Sequence, residues 1–67
     1  EIGILIKETE DGTVRASFRS NGRIDVSKLA GLFGGGGHYA ASGASLSMNL
    51  ANAKKKILSA AREVIGA

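Results

Sequence analysis

The residues of this chain that could do chemistry are few, and they gather in one stretch. Gly34-Gly35-Gly36-Gly37 runs directly into His38, the single histidine. Glycine gives up more backbone freedom on folding than any other residue, so four in succession are costly to order. Such a run makes sense where main chain has to approach something closely. Successive N–H groups with no side chains in the way form a nest for an anion, and phosphate is the natural guest. A helical turn over His38 to Ser42 would aim further free N–H groups at the same point. A histidine beside a phosphate is favoured in its charged form and donates to it. Arg15 and Arg19 add two guanidinium groups whose planar forks suit phosphate oxygens. Arg19 stands beside Ser20 at a strand end, where loops meet, and is the candidate to grip. Arg15 reads as a solvated sheet position, and Lys54-Lys55-Lys56 as a solvated helix face. Tyr39 offers either a stacking surface for a base or filler for a core edge. Standard phosphate fingerprints are missing: no Lys-Ser/Thr follows the glycines, and no Gly-x-Gly-x-x-Gly occurs.

What is absent narrows the chemistry further. Hydrolysis of a phosphate ester usually calls for metal ions held by several carboxylates and histidines. Outside the Glu8–Asp11 turn, only Glu1, Asp25 and Glu63 are acidic. There is no Cys nucleophile and no second His to form a pair of base and orienter. The sequence thus offers a binder of phosphate, with no catalytic and no metal-binding set of its own.

Regular elements must hold these residues in place. Ile2, Ile4 and Ile6 alternate with Gly3, Leu5 and Lys7, the period of a half-buried strand. Val14, Ala16 and Phe18 alternate with Arg15, Ser17 and Arg19 in a second. Asp11-Gly12 between them signals an antiparallel hairpin. If Val14, Ala16 and Phe18 face the core, then Arg15, Ser17 and Arg19 share the opposite face. Ser20 to Arg23 reads as a loop. Asp25 is an N-cap for a helix whose Val26, Leu29, Ala30 and Phe33 line one side. Ile24 and Leu29 occupy its staple positions, and Gly34 ends it in the C′ role. After a glycine-rich loop to Gly43, Ala44 to Met48 forms a third strand. Asn49 caps a last helix with an apolar stripe through Leu50, Ala53, Ile57, Ala60 and Val64, widened by Leu58, Ala61 and Ile65. The fold class is α/β (α+β): a small mixed sheet of about three strands, beginning with a hairpin, packed with two helices.

A chain of 67 residues is one small domain and buries only about 60% of its unfolded surface. With no Cys and one His, neither disulfides nor a zinc site can reinforce it. It is therefore expected to lean on good packing, a partner chain or a neighbouring domain, and it reads as one piece of a longer protein. No apolar run reaches the length of a membrane span. The lack of Cys fits a reducing, cytoplasmic setting. Nine Lys/Arg against six Asp/Glu give a net charge of +3, which permits an anionic ligand without demanding one.

The stretch from Phe33 to Gly43 resembles the signature of the C-terminal, DHH-associated domain of the DHH phosphoesterases. That signature is Gly-Gly-Gly-Gly-His, two variable residues, Ala, a small residue and Gly. Phe18-Arg19-Ser20, Gly22, Asp25-Val26 and Phe33 match the family's approach to it, and Ser42 stands where Ala is frequent. The resemblance spans nearly the whole chain and is nearest the oligoribonuclease and 3′-phosphoadenosine-5′-phosphate phosphatase branch, which overlaps with enzymes cleaving cyclic dinucleotides. It implies that Gly34, Gly35, Gly36, Gly37 and His38, with Arg19 and Ser20, contact substrate phosphate or the terminal nucleotide. It further implies manganese in a separate Asp-His-His domain, absent from residues 1–67, with no cofactor on this chain. The implied partners are a nucleotide or short single-stranded RNA or DNA and that catalytic domain, with homodimerisation a further option and no membrane.

Two other readings compete. Gly34–Gly37 fits the Gly-x-x-Gly loop of a KH-type RNA-binding module, although such a loop normally carries basic residues. Alternatively the last helix pairs with another chain, a purely structural role for which Ile57→Asp would be diagnostic.

Overall fold

Two alternating apolar runs set the frame. In the computed structural model, which describes residues 2–66 and so leaves Glu1 outside, they form β1 (Ile2–Glu8) and β2 (Val14–Ser20). The two pair antiparallel in the register Ile4↔Phe18 and Lys7↔Arg15. The turn between them is braced by Asp11, whose carboxylate accepts from the hydroxyls of Thr9 and Thr13 and from the Thr13 amide. These donors, the Thr9 hydroxyl foremost, hold the Asp11 carboxyl down at about 2. Gly12 takes the left-handed backbone (φ 85°) that the tight bend requires.

Helix α1 (Val26–Gly31) starts at Asp25, whose side chain accepts from the Ser27 amide at 3.0 Å. The Ser27 hydroxyl bonds to the same carboxylate and lowers its pKa. At the other end Gly34 has φ 77°. Its N–H donates to Gly31 at 3.1 Å and that of Gly35 to Ala30 at 2.9 Å. This is the double-bonded Schellman stop, with glycine in the C′ position as expected. Helix α2 (Leu50–Gly66) starts from Asn49, which accepts from the Asn52 amide at 2.8 Å.

The expected α/β fold is present, and the sheet carries one strand more than the sequence suggests. Part of the glycine run forms β3 (Gly36–His38), and β4 spans Ala41–Leu46 instead of starting at Ala44. The order is β1-β2-β4-β3, with every pairing antiparallel. Both helices pack on one side of the sheet, over Val14, Ala16, Phe18, Ala44 and Leu46. Phe18, Leu29 and Ile57 are fully buried there, each burial stabilising by roughly 1.5–3 kcal/mol. The buried stripe of α2 is narrower than its sequence suggests. Ala53, Ile57 and Ala61 are inside, whereas Leu50, Leu58 and Ile65 are exposed. Because Ile57 is wholly buried, Ile57→Asp would unfold the domain and cannot report on association. Among the described residues, no element covers the other sheet face. No helix among the described residues is long and apolar enough to cross a membrane.

Candidate functional site

The four glycines are not equivalent in the fold. Gly34 is the left-handed helix stop. A Cβ on Gly35 would lie 2.2 Å from the Gly43 carbonyl oxygen and 2.8 Å from the Ala44 Cα. One on Gly37 (φ 149°) would lie 2.6 Å from the Ser42 Cα and 2.7 Å from the Ala41 oxygen. The close approach that the run permits is therefore first of all an approach to the protein's own strand β4. Gly36 alone is unexplained by the fold: its φ is not positive, and a Cβ there would meet nothing within 4 Å.

These positions correct the expected geometry of a continuous amide nest. The Gly34 and Gly35 N–H groups point back into α1 and are already bonded. No helical turn begins at His38; Tyr39-Ala40 is a tight turn between β3 and β4. Because the ladder closes on His38↔Ala41 across that turn, its alternation sends the Gly37 amide to the free edge of the sheet. The glycine run also leads from a helix into a strand, so a KH-type loop between two helices does not form.

What the fold does assemble is a row across the uncovered face. The registers align Gly3 with Arg19, Arg19 with Ala41, and Ala41 with His38. Alternation places all four on the side away from the helices. A Cβ on Gly3 would lie 4.0 Å from the Arg19 Cβ, which confirms that the two share a side. Arg19 and His38 are both exposed. They sit two strand spacings apart, about 9.5 Å, with only the methyl of Ala41 between them in the row. The next row is Leu5, Ser17, Gly43 and Gly36. Two cation-capable side chains thus flank a floor of Gly36, Gly43, Ala41 and Ser17, low enough for a bulky anion to reach main chain. Gly3, Leu5, Ser17 and Arg19 also line a shallow depression.

Other sequence candidates lie elsewhere. Ser20 follows Arg19 and so falls on the opposite face. Its hydroxyl donates to the Ile24 carbonyl at 2.7 Å and accepts from the Gly22 amide at 3.2 Å, which makes it a brace of the loop. Tyr39 lines a groove on the helical side with Leu32, Val64 and Ile65. Lys54, Lys55 and Lys56 are exposed on α2, away from the open face. Ser42 has a role the sequence did not show: its hydroxyl donates to the Val26 carbonyl at 2.6 Å and ties β4 to the start of α1. The signal that could have located the face was the odd-numbered set of the hairpin, Arg15, Ser17 and Arg19. Placing His38 in register with it required a strand that the glycines concealed.

An uncovered sheet face with Arg19 and His38 in one row, bounded by a glycine-rich edge strand, is the candidate site. The family model for the DHHA1 domain matches residues 1–67, and the chain belongs to that family. It is similar to the bifunctional oligoribonuclease and PAP phosphatase NrnA of Thermus thermophilus, 36% identical over 63 residues. The match covers 92% of this chain and 19% of that protein, so the chain spans about a fifth of the relative's length. Among the described residues, no group of three or more His, Asp or Glu could hold a metal ion.

Proposed function

We propose that this domain seats a phosphate of a nucleotide on the open face of its sheet and so holds substrate for a DHH phosphoesterase. The substrates are short oligonucleotides, phosphoadenosine phosphate or cyclic dinucleotides, and the partner is a catalytic Asp-His-His domain. The observation that carries this is the Gly3–Arg19–Ala41–His38 row. Arg19 supplies a fixed positive charge with paired donors. His38 supplies a donor from the far side. The Gly37 amide at the sheet edge is a further donor next to it. A charge-assisted bond of this kind contributes roughly 1.5–3 kcal/mol. The floor carries nothing larger than the Ser17 side chain, so the anion is not held away from the main chain. This chain's part is to bind and orient; the residues that would cleave belong to the partner domain.

The test is titration of the chain with adenosine 5′-monophosphate and with 3′-phosphoadenosine-5′-phosphate, followed by amide NMR. The expected result is movement of Gly3, Arg19, Gly36, Gly37 and His38, and its loss in Arg19→Gln. If those amides stay still at millimolar ligand while amides of the helical groove shift, the reading fails.

A further inference from the structure

One row of the open face is left unused by a mononucleotide. Lys7 and Arg15 are direct cross-strand partners, and Ser45 continues their row on β4. Like charges placed directly opposite one another destabilise a sheet. Nothing on the face relieves them: among the described residues, its positions on β1, β2, β4 and β3 include no Asp or Glu. The nearby Asp11 carboxylate is occupied by Thr9 and Thr13 within its own turn. Both cations are exposed. The pair thus stands as an uncompensated positive site on the same surface as Arg19 and His38.

Its separation from them sets a length. Arg15 and Arg19 are four residues apart on one strand, about 13 Å at roughly 3.3 Å per residue. One strand of a duplex rises about 3.4 Å per nucleotide along its axis, and its phosphates wind about that axis and lie further apart than the rise, so this is at most about four steps of a strand. Between the two sites lie Leu5, Ser17, Gly43 and Gly36. That strip offers the exposed side chain of Leu5 and otherwise only small residues over which a chain can pass.

We propose that Lys7 and Arg15 form a second phosphate subsite, which makes the open face a track for a short single strand of up to about five nucleotides and sets the substrate length it favours. The inference rests on the first phosphate lying between Arg19 and His38. One further phosphate contact on a single strand changes the slope of log K against log salt by about 0.7, which at 0.1 M salt is roughly a fivefold contribution to affinity relative to 1 M.

The experiment compares adenosine 5′-monophosphate with 5′-phosphorylated penta-adenylate in chelator-containing buffer, using the unmodified chain, Lys7→Gln/Arg15→Gln and Lys7→Glu. The expected result is tighter, more salt-dependent pentamer binding by the unmodified chain. Both variants lose that advantage and keep their monophosphate affinity. Lys7→Glu also melts higher, because it pairs with Arg15, so a folding defect cannot mimic the loss. If the monophosphate binds but pentamer affinity and salt slope are unchanged in both variants, the second subsite is overturned alone. If the monophosphate does not bind the face at all, the first reading falls and this one with it.

Discussion

Alanine substitutions at neighbouring glycines separate what the fold needs from what a ligand needs. In Gly35→Ala the new Cβ would lie 2.2 Å from the Gly43 oxygen and 2.8 Å from the Ala44 Cα. Both are backbone or backbone-fixed atoms, so β3 and β4 must part by most of an ångström. Overpacking of this kind costs about 1–3 kcal/mol, and a backbone clash belongs at the upper end. Replacing Gly by Ala returns about 0.4–1 kcal/mol through the unfolded chain. The net loss is about 2 kcal/mol, which lowers the melting temperature of a domain this size by about 8–16 °C. In Gly36→Ala the Cβ meets nothing within 4 Å, so only the unfolded-state gain remains and the melting temperature holds or rises by a few degrees. Nucleotide affinity should nonetheless fall, because the methyl stands on the floor in the row next to Arg19 and His38. Thermal melts by circular dichroism, with nucleotide titrations on the same samples, read both effects. A Gly36→Ala protein that melts as low as Gly35→Ala would refute the division of roles among the glycines. One that keeps full affinity would show that the phosphate does not rest on that floor.

Arg19→Gln should lower nucleotide affinity tenfold or more, as expected for loss of a charge-assisted bond, and leave the melt unchanged. Calorimetric titration and a thermal scan check the two halves. Ser20→Ala should do the reverse, losing about 1 kcal/mol of stability with its bond to the Ile24 carbonyl while binding remains. Phe18→Ala, at a position with no exposure, should cost about 3–5 kcal/mol, and urea unfolding followed at 222 nm would show it. The Asp11 carboxyl is depressed to about 2. Its folded pKa lies below the unfolded one, so its contribution is complete above about pH 4 and is lost as pH falls toward 2. Melting temperatures between pH 5 and 2 should decline less in Asp11→Asn than in the unmodified chain.

The parts of the fold readable in advance are those with local causes. The alternation of β1 and β2, the Asp25 and Asn49 caps and the Gly34 stop each depend on a few neighbouring residues, and each stands where the sequence places it. Strand β3 has no such signal. Glycine is depleted in strands, and Gly36–His38 is a strand only because Gly35 and Gly37 let it close on β4. The start of β4 was hidden for a related reason. Ala41, Ser42 and Gly43 carry little strand preference, and pairing on both sides supplies it. The Tyr39-Ala40 turn lacks the positive-φ residues that mark two-residue hairpins. Arg19 and His38 were therefore visible as candidates, but the surface that carries both was not. A run of glycines followed by histidine looks like a loop until a second strand is laid against it.

The Tyr39-Ala40 turn is fastened through its main chain. The Tyr39 carbonyl accepts from the Val26 amide at 2.9 Å, and the Ala40 carbonyl from the Ser20 amide at 3.0 Å. Every amino acid carries a carbonyl, so these two anchors are indifferent to side-chain identity. In a saturation library the pair should accept broad replacement while the imidazole next door keeps its place. Chemistry at the tip can then be rewritten for a new neighbour without retuning the grip beside it.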